Sequence, residues 1–259
     1  MKTNAIRWIV TGMTFLMMLT SVMVSADVFI KKKHHQDEYT MMGTTQPAKD
    51  FVSTMWIAAD RARNDMDNQS IIILLDKNSI IILDHDKKEY IEMPLNFEEA
   101  AAKAAKEEGA SEEELAKLPA AIREMMKGAM KMNITITETN DRKVIHGWNC
   151  RKYNQKIEGM MSSESEVWAS QDVKLDQRLY VKFSAAMMAM TTGLKDALGD
   201  IKKQMEKIKG MPVSTITTST MMGKKMKSSL ELLEVKDDAA APPGIFEIPA
   251  GYKKGSLGR

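Results

Sequence analysis

Two dense apolar runs stand out in the hydropathy pattern, Ser70–Leu75 and Ser79–Leu83. Each is almost wholly Ile and Leu, and Asp76-Lys77-Asn78 separates them. Short apolar runs bounded by turn residues predict strands buried on both faces. The Asp-Lys-Asn link predicts a tight antiparallel hairpin. Asp84 to Lys88 is a second polar turn, and Glu89 to Met93 a third strand ending at Pro94, which makes a meander. Upstream, Val28 to Lys33 and Glu38 to Met42 read as two strands around the turn His34-His35-Gln36-Asp37. Between these regions Pro47 to Asn64 reads as a helix. Phe51, Met55, Ala58 and Ala59 recur at helical spacing, and Lys49, Asp50, Asp60 and Arg61 take the wet side.

The pattern changes at Asn96. Asn96 with Glu99, and Ser111 with Glu114, each form a helix-start signature, and Gly109 stops the first helix. Phe97 to Lys117 is rich in Ala, Glu and Lys. It can cover a surface but cannot build a core. Ile122, Met125, Met126, Ala129 and Met130 then make an apolar helical stripe. Met132 to Thr139 alternates, as a half-buried strand does, and Asn140-Asp141 predicts a turn. Lys143–Trp148, Cys150–Ile157 and Glu164–Ala169 continue as strands, and 178–209 reads as mostly helical. Gly210-Met211-Pro212 ends that helix, and Val213–Thr220 with Ser228–Val235 forms a last hairpin. Runs of strands interrupted by blocks of helix predict an α+β fold. The expected form is a curved antiparallel sheet, an unclosed half-barrel, with helices covering its concave side.

The first 26 residues set the compartment. Lys2 and Arg7 precede an uncharged run, Ile9 to Val24, and Val24-Ser25-Ala26 offers a small-residue cleavage site. This reads as a secretory signal peptide, with no transmembrane segment after its removal. The expected location is periplasmic or secreted. Two of the 37 basic residues fall in the leader, so the remaining 35 balance the 35 acidic ones. A neutral chain has no global field to draw it to nucleic acid. The lone cysteine, Cys150, excludes an internal disulfide, so the fold rests on its core. Cys150 reads as a small buried hydrophobe, with an intermolecular bridge or a reactive thiol as the alternative. The chain holds 24 methionines, many in pairs. Methionine suits adaptable apolar surface, such as a cavity for flexible ligands, or simply replaces Leu.

Three stretches carry a resemblance. They are Ile71–Leu83 with Lys88-Glu89-Tyr90; Ile145-His146-Gly147-Trp148-Asn149-Cys150-Arg151-Lys152-Tyr153 with Glu166–Ser170; and Met211-Pro212-Val213 with Phe246–Tyr252, which contains Pro249-Ala250-Gly251-Tyr252. In this order they resemble an exported bacterial family that is a domain of unknown function. That family is similar in architecture to the outer-membrane lipoprotein carriers, the lipoprotein-localisation-factor superfamily. The resemblance implies one domain over 27–259, with a helical insertion at about 96–131 and acyl chains bound inside.

No motif for catalysis occurs: no Gly-x-Ser-x-Gly, phosphate loop, His-Glu-x-x-His or Cys-x-x-Cys. His34-His35 with Asp37 and Glu38, and Asp84-His85-Asp86, contain metal-ligand types but sit where turns are expected. The expected function is therefore non-enzymatic and needs no cofactor or metal. It is the holding of a lipid, acyl chain or other apolar molecule, or a lipoprotein, inside the sheet. Candidate lining residues are Trp56, Ile73, Ile82, Trp148, Trp168, Met187 and Met188. Two alternatives stand beside it. One is an interaction module with a filled core. The other is copper binding by Met187-Met188-Ala189-Met190 and Met125-Met126 with Met130 and Met132.

Overall fold

The computed structural model describes residues 27–41, 44–95, 111, 113, 133–158, 162–175, 179–181, 183, 203–221 and 224–255. Their strands are β1 (Asp27–Gln36), β2 (Tyr39–Met41), β3 (Thr44–Gln46), β4 (Lys49–Ile57), β5 (Arg61–Met66), β6 (Gln69–Leu74) and β7 (Ser79–Asp84). β8 (Glu89–Pro94), β9 (Asn133–Ile145), β10 (Trp148–Glu158), β11 (Ser162–Ser170), β12 (Met211–Met221), β13 (Lys224–Ala239) and β14 (Lys253–Lys254) follow. Twelve of them form one curved sheet in the order β14-β8-β7-β6-β5-β4-β1-β13-β12-β11-β10-β9. The β8–β14 pair is parallel, and β2 and β3 pair separately.

This overturns the α+β expectation. Among the described residues helix is confined to 113, 179–181, 183 and 203–205, and no helical layer covers the concave side. The expected helix over Pro47–Asn64 is β4 and β5 instead. In so short a window Phe51 and Met55 fit a 3.6 period, but Phe51, Ser53, Met55 and Ile57 also fit a period of two. Val52, Thr54 and Trp56 favour strand, and pairing with β1 decides the outcome. The insertion at about 96–131, and Met187 and Met188, lie outside the described residues, apart from Ser111 and Glu113.

The first expected hairpin is also corrected. β1 runs through His34 and His35, and its neighbours are β4 and β13 rather than β2. Asn140-Asp141 does not turn the chain. Residues 139–141 of β9 face the single residue Lys152 of β10, forming a bulge. The Thr139 hydroxyl fastens it, accepting from the Asp141 amide at 3.2 Å and donating to the Lys152 carbonyl at 3.1 Å. The reversal comes later, at His146 (φ 49°) and Gly147 (φ 84°). Both are left-handed, as a two-residue hairpin loop of this kind requires.

Register assigns the two faces of the first meander. One row across the sheet is Val28, Ile57, Ala62, Ile73, Ile80 and Met93, and all but Met93 are buried. This core face also takes Val173, Leu175, Leu179, Tyr180 and Phe183. On the opposite face Ile72, Leu74, Ile81 and Leu83 form a cluster of their own, covered by Tyr90, Phe246, Ile248 and Tyr252. Residues 240–255 are thus a strap over the back of β6–β8. Arg63 donates to the Ile245 carbonyl at 2.9 Å, and the Lys253 and Gly255 amides donate to the carbonyls of Lys88 and Tyr90. β6 and β7 are buried on both faces because of this strap. A third cluster joins Ile134, Ile136, Tyr153, Val167 and Ala169 of β9–β11 to Met205 and Ile208.

Candidate binding face

Next to the filled row on the core face lies a second row, one step of two residues along each strand. It runs Ile30, Met55, Asn64, Ile71, Ile82, Ile91. Ile30 is buried and the other five are half-buried. At about 4.8 Å per strand, Met55 to Ile91 spans roughly 19 Å. Asn64 is the polar member of this row. Its amide has no side-chain hydrogen bond among the described residues.

The third row turns polar: Lys32, Ser53, Met66, Gln69, Asp84. Lys32 donates to the Tyr180 hydroxyl at 3.0 Å, and its ammonium lies 4.9 Å from that ring's centre. His34 lies 2.7 Å from the Ser53 hydroxyl and stacks on Phe51 at 4.5 Å. Burial, and then the charge of Lys32, hold the His34 imidazole below its ordinary range. The face therefore grades from filled apolar, through half-buried apolar, to a polar margin with Lys32 at one end and Asp84 at the other.

Of the expected lining residues, Ile73 belongs to the core cluster and Ile82, Trp148 and Trp168 pack against it, whereas Trp56 does not. Ile73 sits in the filled row and Ile82 in the half-buried row of the same face. Trp56 is level with Phe29, Arg63 and Ile72, so it points to the opposite face, where it packs at 4.8 Å on Phe29. Trp168 is half-buried and packs against the same core cluster as Ile73, Ile82 and Trp148, beside a register shift between Trp168 and Ala169. Lys143 lies 4.3 Å from its ring centre. Trp148 is half-buried beside the β9–β10 turn, edge-on to His146 at 6.4 Å. Sequence reasoning missed Met55, Asn64, Ile71 and Ile91. Once β4 is read as a strand, alternation alone finds Met55.

The histidines have local partners. His35 is gripped by Asp50 at 2.7 Å and Asp37 at 2.9 Å, and these bonds, Asp50 foremost, raise its pKa. Among the described residues no group of three ligand-type side chains is placed to hold a metal. Behind the sheet, Ser70, which has no exposed surface, donates to Asp65, which also takes Arg63 at 2.6 Å. Ser70 accepts from Arg63 at 3.0 Å and meets His85 Nε2 at 2.7 Å, and His85 Nδ1 meets the Tyr252 hydroxyl at 2.6 Å. With the Ser70 proton given to Asp65, Nε2 is the donor to Ser70, and Nδ1 pairs with the Tyr252 hydroxyl. A nucleophilic serine needs the reverse, an imidazole that accepts its proton. This network clamps the strap.

The clamp also explains the motifs. Tyr252 of Pro249-Ala250-Gly251-Tyr252 docks on His85, and Gly251 supplies the left-handed turn (φ 86°). In Gly147-Trp148-Asn149-Cys150-Arg151-Lys152-Tyr153, Gly147 turns the hairpin, Cys150 is buried and Tyr153 is fully buried. Tyr153 accepts the Lys209 amide at 3.2 Å. Burial pushes the Cys150 thiol pKa up, which disfavours the reactive thiolate.

Fold and face define an open, almost wholly antiparallel sheet with one graded apolar surface. The chain belongs to the family described as a domain of unknown function, DUF4412, whose sequence pattern matches residues 117–252. No curated protein matches it. Among solved structures it is similar to PNGF-II, at 12% identity and a TM-score of 0.37, over 90% of this chain and 31% of that one. This chain thus spans less than a third of PNGF-II. It is similar also to an uncharacterized conserved protein from Thermus thermophilus (7% identity, TM-score 0.42, 90% of this chain and 91% of that one). A third is a Vibrio parahaemolyticus domain described as an outer membrane lipoprotein-sorting protein (8% identity, TM-score 0.31, 85% and 89%). At these scores nothing about ligand or activity passes from those proteins to this one. Among the described residues no helix is long and apolar enough to cross a membrane.

Proposed function

We propose that this chain is an exported binding protein that holds an acyl chain or similar apolar molecule on the core face of β4–β8. The observation that carries the reading is the half-buried row Met55–Asn64–Ile71–Ile82–Ile91, an apolar strip with one amide free of side-chain partners among the described residues and a lysine at its margin. Such a strip suits an amphiphile whose carbons cover Ile71 and Ile82 and whose acidic head meets Asn64 or Lys32. Each buried CH₂ contributes about 0.8 kcal/mol. Export is supported by the leader pattern in residues 1–26. No bond is broken in this function.

Uptake of a fluorescent fatty acid by protein purified after export tests it. Wild type takes up the probe. Ile82→Asp weakens uptake at least tenfold by placing a carboxylate in the strip, roughly the ~1.4 kcal/mol that a tenfold change represents. Asn64→Leu, which leaves the apolar strip intact, shifts preference from fatty acid to its uncharged ester. A folded wild type that takes up neither probe, and carries no lipid in native mass spectrometry, is an interaction module with a filled core.

A further inference from the structure

The sheet ends differently at its two edges. β14 and the strap lie along β8, which finishes at Pro94. β9 is 13 residues long and has β10 on one side. Among the described residues nothing pairs with its other side. A long strand with a row of free backbone groups is a template for another strand.

Two hydrogen bonds fix which groups of β9 face outward. The Asn149 amide donates to Asp172, on the β11 side, at 2.9 Å, so it points away from β9. The Lys152 carbonyl accepts the Thr139 hydroxyl at 3.1 Å, so it points toward β9. Backbone direction alternates along β10, and Asn149, Arg151, Tyr153 and Gln155 therefore all point away from β9. Their partners Val144, Arg142, Glu138 and Ile136 sit in the non-hydrogen-bonded pairs of this ladder, with their own amides and carbonyls turned outward.

In chain order these four residues read apolar, acidic, basic, apolar. Laid antiparallel on a second copy about a twofold axis at Asn140, the row is its own complement. Ile136 meets Val144 of the second copy and Glu138 meets its Arg142, and each pairing occurs twice. A shift of two residues either way sets Ile136 against Arg142, or Glu138 against Val144. Val144 is 65% exposed, more than any other large hydrophobic residue among the described ones. The self-complementary register lays Ile136 of the second copy beside it. The bulge at 139–141 falls on the axis and leaves an arm of regular ladder on each side. Charge and a bulge discourage indiscriminate pairing at an edge; here they leave one register open.

We infer that this chain forms a twofold dimer by pairing β9 with β9 of a second copy, which joins two 12-stranded sheets edge to edge. The pairing consumes the long open edge of each copy, so assembly stops at two. Arg151 already engages Glu138 within the chain, so the interchain ion pairs set register more than strength. The dimer does not depend on the acyl-binding reading, because a sheet with a filled core has the same edge.

Sedimentation velocity of protein purified after export, over a concentration series, tests it. Wild type passes from monomer to dimer and goes no further. Val144→Pro weakens the dimer roughly tenfold or more. The amide it removes faces away from β10, so the ladder within the chain is kept. Arg142→Glu sets acid against acid in both arms, and Glu138→Arg sets base against base, so each variant alone is monomeric. Mixed in equal amounts, the two variants restore a dimer, which misfolded chains would not do. Wild type that stays monomeric at every concentration overturns the inference and leaves the edge to a strand of another protein. So does growth beyond two copies, or failure of E138R and R142E to associate on mixing.

Discussion

The two meanders on either side of β1 use opposite sequence patterns within one sheet. β6 and β7, in the β4–β8 half, are nearly unbroken Ile and Leu, whereas β9–β13 alternates apolar residues with Thr, Ser and charge. The difference follows the cover on the second face. Behind β6–β8 the strap lays Phe246, Ile248 and Tyr252 on Ile72, Leu74, Ile81 and Leu83. In the other half Val144, Ile216 and Leu233 are left exposed. A strand can be apolar on both faces only where something dry lies against each.

Truncation is the hardest test of that contrast. Leu83→Ala, beneath the strap, is expected to cost about 2–5 kcal/mol in denaturant unfolding. Val144→Ala, exposed on the edge strand, is expected to stay within about 0.5 kcal/mol. Equal losses would break the comparison. Gly210→Ala comes next. Gly210 has a φ of 102°, and a Cβ there would stand 2.3 Å from the Ser170 carbonyl oxygen, so β12 could not enter beside β11 without a backbone shift. A loss of about 1–3 kcal/mol is expected, with the damage falling on amide protection of β11 and β12 rather than of β6 and β7.

Hydroxyl deletions are smaller. Tyr252→Phe removes the clamp on His85, and Tyr153→Phe removes the bond to the Lys209 amide. Each should cost about 0.5–1.5 kcal/mol. Only Tyr252→Phe should speed hydrogen exchange at Lys253 and Gly255, the amides that tie the strap to β8 and the loop before it.

The smallest effect is a pH dependence from His34, on the strand between the two halves. Its folded pKa is depressed, so its contribution is full above the unfolded value of 6.5 and fades as pH falls through the folded value. Wild type should therefore lose stability on acidification more steeply than His34→Gln. His35 acts in the opposite sense, since its raised pKa gives stability below 6.5 that is lost as pH rises through the folded value. Because His35 is exposed, its effect should vanish in salt while that of His34 persists.

Much of the sheet was legible residue by residue. The Ser70–Leu75 and Ser79–Leu83 hairpin, the alternation in β9 and the β12–β13 pair stand where the pattern puts them. Candidate site residues were harder to read, because a period of two makes each choice of face depend on register. Ile73 and Ile82 share the core face and Trp148 and Trp168 pack against the same cluster, but Trp56 points away from it. Asn64 gave no signal, since a single polar residue in a supposed helix is unremarkable until its strand row is known.

Local sequence settled that the Ile and Leu runs extend and reverse at Asp76-Lys77-Asn78, because hydrophobic patterning and turn residues act within a few positions, but it placed turns wrongly at His34–Asp37 and Asn140-Asp141. Only tertiary structure decided that β1 wedges between β4 and β13, that 49–66 pairs instead of coiling, and that the strap crosses behind β6–β8. Those outcomes depend on contacts between residues as far apart as Asp27 and Ala239, whose pairing depends on how the rest of the chain has already folded.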